Sequence, residues 1–153
     1  MRHMGRPPLT RVESDAVLRR YEHHWRRHGF GLLAAEDRRT GALVARTGVA
    51  YHRCWPPDPE VGWSVDPVHW GRGLATEAGR ASVAWAFGGL GLTRVVSITV
   101  EANLASRRVM EKLGFGLHAR ACDPRFRGEL WIHALDRDAT ALTLETPCLG
   151  TGP

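Results

Sequence analysis

The sequence predicts an α/β domain of the mixed α+β kind, a mixed sheet covered by helices, and three observations predict it. First, the centre reads strand, glycine-rich turn, helix, strand, helix: "EVGWSVDP", "WGRGLATEA" running on to about Phe87, "RVVSITVE" and "ANLASRRVMEKLG". A strand–helix–strand crossover favours parallel neighbours. Second, the apolar runs on either side come in pairs, which suits antiparallel pairing. Third, 153 residues with 43% hydrophobic content suit one compact domain with a core of its own.

The elements follow in order. "TRVESDAVLRRYEHHWRRHG" reads as a helix, with Ser14 and Asp15 as start residues, Val17, Leu18, Tyr21 and Trp25 on one side, and Gly29 as the stop. "FGLLAAED" and "ALVARTGVAYH" flank the turn "RRTG" and read as a hairpin. "RCWPPDPE" is a rigid loop with three prolines. In the helix after the glycines, Leu74, Ala78, Ala81 and Trp85 recur at helical spacing and are expected to face the core. "GGLGL" breaks that helix. The β-branched run Arg94–Val100 reads as a buried strand. The next helix points Val109 and Leu113 inward and takes Gly114 as its C-cap. "FGLHARAC" and "GELWIHALD" close the sheet as a strand pair. The domain is expected over residues 1–138, and the Gly- and Pro-ended tail 139–153 is expected to be loosely ordered.

Composition excludes several classes. No apolar run is long enough to cross a bilayer. The first residues, "MRHMGRPPLTRVESD", contain no apolar signal-peptide core, so a cytoplasmic protein is expected, with no membrane partner. The net charge of +5 comes from twenty arginines against one lysine, Lys112. They are scattered, with no basic stripe interleaved with aromatics, so a nucleic-acid partner is not expected. Cys54, Cys122 and Cys148 are far apart and form no C-x-x-C pair. His24 and His28 have i,i+4 spacing but no third ligand or H-E-x-x-H pattern, so no metal site is expected and a solvated helix face is the better reading.

Gly71 and Gly73 stand where a helix begins, although glycine weakens helices. A helix N-terminus exposes unpaired amides and partial positive charge, which suits phosphate. Glycines there admit a bulky anion, Arg72 adds a formal charge, and Thr76 adds a hydroxyl. A P-loop is excluded because the Gly-Lys pair is missing. The dinucleotide fingerprint is excluded because Thr76 replaces its third glycine. Taken alone, the glycines equally well shape a turn.

The succession "EVGWSVDPVHWGRGLATEA", "WAFGGLGLTRV" and "VEANLASRRVMEKLGF" resembles the GNAT acyltransferase superfamily, and within it the Rim-type ribosomal-protein N-terminal acetyltransferases and their relatives. The resemblance covers roughly Thr10 to Asp138. It implies a mixed, mainly antiparallel sheet whose central parallel strand pair splays apart, with helices on both faces. It also implies acetyl-CoA as co-substrate, a primary amine as acceptor and no metal. Trp63, Ser64 and Val65 would meet the pantetheine arm through backbone groups, with the amide near Val65 as oxyanion donor. Gly71, Arg72, Gly73, Ala75 and Thr76 would wrap the pyrophosphate. Asn103 would hold the pantetheine end, a position where it serves equally well as a helix cap. Arg107 would reach CoA phosphates, Ser106 would protonate the leaving thiolate, and Glu60 would act as base. Family members carry a first strand and helix before the segment matching "MRHMGRPPLT", and these are expected to be absent here. The strand "FGLLAAED" is therefore expected at a bare sheet edge, covered by a second copy of the chain or, as the lesser alternative, by the chain's own "ATALTLET" segment folding back. For the same reason a CoA-binding module with little catalysis stands as the alternative function.

Overall fold

The computed structural model describes residues 9–51, 58–122 and 129–138. The loop at Cys54, Cys148 and the tail 139–153 lie outside these residues. Helix α1 (Arg11–His28) leads into the hairpin β1 (Leu32–Glu36) and β2 (Leu43–Ala50), then β3 (Glu60–Val65), α2 (Leu74–Ala84), β4 (Arg94–Val100), α3 (Leu104–Lys112), β5 (Gly116–Ala121) and β6 (Leu130–Asp136). The six strands form one sheet in the order β1-β2-β3-β4-β6-β5. All neighbours are antiparallel except β3 and β4. The mixed sheet, its parallel centre and its antiparallel flanks are as expected from the sequence.

Local chemistry explains the helix ends. Thr10 and Glu13 form a reciprocal capping box at the start of α1, and Gly29 ends it in the left-handed region at φ 72°. Asp37 makes the hairpin turn by accepting from the amides of Arg39 and Thr40.

Strand parity divides the molecule into two faces. Thr47 of β2 donates to the Ala78 carbonyl of α2 and shares a 2.8 Å hydrogen bond with the Ser82 hydroxyl. Its neighbour Arg46 points the other way and meets Tyr21 of α1. So α1 and α2 lie on opposite faces. The α2 face holds the core, in which Val49, Val61, Val95 and Ala86 are fully buried and Met110, Phe115 and Leu135 nearly so.

Two inward faces differ from the sequence expectation. Helix α2 buries Gly79, Ser82 and Val83, while Ala81 is exposed and Leu74 and Ala78 are half-buried. Small residues let α2 lie close to the sheet: a side-chain carbon at Gly79 would stand 3.2 Å from the Trp63 ring and 2.7 Å from Leu113. Likewise Met110, at 1% exposure, is the central inward residue of α3, with Leu113 packed beside it. Helix α2 continues past Ala84 as a π-turn, Trp85–Gly89, whose Trp85 stacks on Trp25 with ring centroids 6.0 Å apart.

Candidate active site

The two parallel strands at the centre of the sheet barely touch. Their pairing is confined to Glu60↔Val96, supported by the Val96 amide donating to the Pro59 carbonyl at 3.0 Å. Beyond that point they part, and the gap opens toward the start of α2. This is the splay that the resemblance implies.

Hydrogen-bond parity decides which groups face the gap. The Asp66 amide donates to the Val44 carbonyl, so Asp66, Ser64, Gly62 and Glu60 turn their backbone groups to β2. Trp63 and Val65 turn theirs to the gap. Of the three residues expected to meet a pantetheine arm, Ser64 therefore does not offer its backbone, and Trp63 and Val65 do. The Val65 carbonyl accepts from the Trp70 indole at 2.9 Å, which folds the following loop back over the strand end. The Val65 amide is left toward the gap.

The glycine turn follows. Gly71 and Gly73 have φ of 78° and 79°, so each needs glycine for its backbone conformation alone. No heavy atom lies within 4 Å of the side-chain carbon either would carry, so the space before the helix is open. Gly73 caps α2 without any side-chain hydrogen bond, and the helix ladder begins with Thr76 and Glu77 donating to its carbonyl at 3.0 Å. The amides of Leu74 and Ala75 precede that ladder and point out of the helix end. Arg72 is exposed, with a guanidinium nitrogen 3.5 Å from His69 Nδ1.

At the far end of β4, Asn103 caps α3. Its side-chain oxygen accepts from the Ser106 amide at 3.2 Å, and its Nδ2 donates to Ser106 Oγ at 3.1 Å. The Ser106 oxygen thus acts as an acceptor there, and its own proton stays available for donation. Arg107 turns beneath the helix: Nη1 donates to the Glu101 carbonyl at 3.4 Å and the guanidinium lies 4.2 Å from the Trp131 ring centroid. Arg120 lies over the same ring at 4.5 Å, so two guanidinium groups pack on Trp131. This placement directs Arg107 toward β6. Nearby, burial holds His133 below its ordinary value.

Glu60 stands where the strands part. Val61 is in the core, so Glu60 lies on the opposite face. Because Val96 directs its amide to β3, Ile98 does the same, but there the strands have already separated. The Ile98 N–H lies near enough to the Glu60 carboxyl to favour its charged form. Burial pushes the carboxyl from the ordinary 4.5 up to about 7, against the pull of Arg46 and the Ile98 N–H. A carboxylate half-protonated near neutrality at the mouth of a cleft is suited to proton transfer.

His24 departs from its expected role on a solvated face. Its Nδ1 bonds the Phe30 carbonyl at 2.8 Å and its Nε2 accepts from the Tyr51 amide at 2.9 Å. A carbonyl only accepts and an amide only donates, so the ring is the neutral Nδ1–H tautomer. It joins His28, Phe30 and Tyr51 in an aromatic cluster. No signal within α1 itself announces this, because the partners come from beyond the helix.

Residues 1–116 match the acetyltransferase (GNAT) domain family. The chain belongs to the GNAT acetyltransferase family. A probable N-acetyltransferase, YjcK of Bacillus subtilis, is 44% identical over 86 residues, covering 56% of this chain and 46% of that protein. A GnaT-family acetyltransferase structure from Bordetella pertussis superposes with TM-score 0.74 at 27% identity, over 82% of this chain and 77% of that one. A ribosomal-protein-S5-alanine acetyltransferase from Vibrio fischeri shares the fold, with TM-score 0.70 at 18% identity over 87% of this chain and 78% of that one. The chain spans about half or less of the length of the curated relatives it matches. The GNAT acetyltransferases use acetyl-CoA as co-substrate, and the splay, the outward backbone of Trp63 and Val65 and the open α2 end suit that molecule's arm and pyrophosphate.

Proposed function

We propose that the chain is an acetyl-CoA-dependent N-acetyltransferase acting on a primary amine, in the manner of the Rim-type branch. One observation carries the reading: the two parallel strands separate beyond Glu60↔Val96, and the gap leads to the open, glycine-led start of α2. Acetyl-CoA supplies an activated acyl carbonyl and a thiolate leaving group. Trp63 and Val65 hold its arm through backbone groups, and Gly71 to Thr76 hold its pyrophosphate, with Arg72 adding charge. Glu60 takes the proton of the attacking amine. The Val65 amide stabilises the charge that builds on the acyl oxygen. Ser106, positioned by Asn103, gives its proton to the departing sulfur.

The acceptor class is a protein N-terminus or a small-molecule amine, and the setting is the cytoplasm. Among the described residues no helix is long and apolar enough to cross a membrane. A second copy of the chain is the proposed partner, at the exposed β1 edge.

The test begins with the turn. Gly73→Val places a branched side chain in the open space and strains a left-handed residue. Calorimetry is expected to show CoA affinity at least about tenfold weaker in the folded variant. Normal affinity would remove the turn from the site. Acetylation of a panel of peptide N-termini and small amines then separates an enzyme from a CoA-binding module.

A further inference from the structure

We propose that Trp70 is a positioning residue for the glycine turn: its indole is a clasp that ties the turn to the end of β3 and holds the pyrophosphate cradle in shape before CoA arrives. The inference rests on the reading of Gly71 to Thr76 as that cradle. It starts from what holds the segment between β3 and α2, Asp66 to Gly73. Asp66 is fixed to β2, its amide donating to the Val44 carbonyl at 3.0 Å. Its carboxylate accepts from the Val68 amide at 3.1 Å and starts the short turn Pro67–His69. The His69 amide donates to the Asp66 carbonyl at 2.9 Å, and the Trp70 amide to the Pro67 carbonyl at 3.2 Å. Beyond Trp70 these bonds stop. Among the described residues the amides of Gly71, Arg72 and Gly73 make no backbone hydrogen bond. The next tie is the Gly73 carbonyl, which accepts from Thr76 and Glu77.

The turn therefore hangs between two anchors. The downstream anchor is α2 itself. Upstream, the backbone bonds of His69 and Trp70 stay inside the segment and would move with it. The Trp70 indole reaches outside: Nε1–H, a group that only donates, gives its hydrogen to the Val65 carbonyl at 2.9 Å. Arg72 does not repeat this tie, since its guanidinium nitrogen stands 3.5 Å from His69 Nδ1, within the same segment. The Trp70 ring is 52% exposed, so it is no part of the core and its bond serves the turn. Two of the three unbonded residues are glycines in the left-handed region, with open space where a side chain would be. Glycine has the most backbone freedom to lose, and a ligand that must order its own site binds less tightly. A clasp one residue ahead of Gly71 lowers that loss.

Trp70→Phe keeps an aromatic ring and removes the donor. In the chain without ligand, 15N relaxation is expected to show the Gly71 and Gly73 amide order parameters falling from about 0.85 toward about 0.6. Calorimetry is expected to show CoA bound about fivefold more weakly, the worth of one hydrogen bond. With an amine from the panel, KM for acetyl-CoA is expected to rise by a similar factor while kcat holds, because the clasp does not touch the reacting atoms. Trp25→Phe is the control. It removes an indole bond of the same length, to the Leu32 carbonyl at 2.9 Å, from a ring stacked on Trp85 at the far end of α2. It is expected to leave both glycines and the CoA affinity unchanged, and an equal loss there would show general loosening and overturn the clasp. Unchanged glycine order parameters, or unchanged CoA affinity, in folded Trp70→Phe would also overturn it. A parent chain that binds no CoA would instead overturn the cradle reading, while the order parameters still decide whether the indole holds the turn.

Discussion

The two helices that flank β2 are packed to different standards. On the α2 face, Val49, Val61, Val95 and Ala86 are fully buried, and α2 lies near enough for Ser82 and Thr47 to bond. On the α1 side, α1 buries none of its own residues, Leu18 remains exposed, and an apolar groove of about 680 Å³ runs between α1 and β1–β2. The proposed base, Glu60, lies on the same face of the sheet as α1. Strand parity makes the division: Val61 and Glu60 are neighbours in sequence, yet one is core and the other is chemistry. A one-residue slip of β3 would exchange them. The tightly packed α2 side supplies a platform on which the strand splay is held.

The sharpest way to break the platform is at its narrowest point. Gly48 of β2 has φ 142°, and a side-chain carbon there would stand 2.4 Å from the Gly31 carbonyl oxygen and 2.9 Å from Leu32 Cα. Both are backbone atoms and cannot swing aside. Gly48→Ala combines a disfavoured backbone conformation with overpacking, and is expected to cost about 4 kcal/mol. Urea unfolding measures it. A loss below about 1 kcal/mol would show that the β1–β2 hairpin yields easily, and that the contrast between the faces is overstated.

The next effect runs in the opposite direction, because the open face carries a group that opposes folding. The Glu60 carboxyl has a folded value near 7 against an ordinary 4.5. Its folded state holds its proton more tightly, so this contribution to stability is fully present below about pH 4.5 and is lost as pH rises through about 7. Glu60→Gln removes the titration and keeps an oxygen for the Ile98 amide. The variant is expected to be more stable than the parent above pH 7 by up to about 3 kcal/mol, with the difference shrinking toward pH 4.5. Denaturant melts at pH 5 and pH 8 provide the check. A variant that is less stable at pH 8 would mean that the carboxylate is well solvated after all.

The same two faces show what was legible beforehand. Element order followed from switches of period between helix and strand, and from Gly29, Gly73 and Gly114 at helix ends. The inward face of α2 was misread because Gly79 and Ser82 are poor markers of a core. They are buried for closeness of approach, while Ala81 and Leu74 are apolar and peripheral. His24 was misread because its two partners, Phe30 and Tyr51, are brought to it by the hairpin. Glu60, Asn103 and Ser106 became candidates through the resemblance of the motifs. What raises the Glu60 carboxyl, its burial beside the point where β3 and β4 part, depends on the packing of separate strands, and no local pattern encodes that. The backbone direction of Ser64 needed the β2–β3 register, which pairs two strands joined by a long loop.

The smallest effect tests whether the open face stays open. Leu18 on α1 is 54% exposed and lines the apolar groove. Truncating an exposed side chain ordinarily changes stability by no more than about 0.5 kcal/mol. Leu18→Ala is therefore expected to leave the unfolding free energy of the dilute chain almost unchanged, in contrast to the change at Gly48. The proposed second copy at the β1 edge makes a separate prediction. Edge strands with apolar neighbours and few charges invite pairing, and the stretch from Leu32 to Ala35 carries none. If two copies meet there with Leu18 in the contact, Leu18→Ala weakens the dimer and shifts the dissociation midpoint of a dilution series to higher concentration. Sedimentation velocity across that series reads both chains. A parent that stays monomeric throughout would end the dimer proposal. A parent dimer unaffected by Leu18→Ala would place its interface away from the groove.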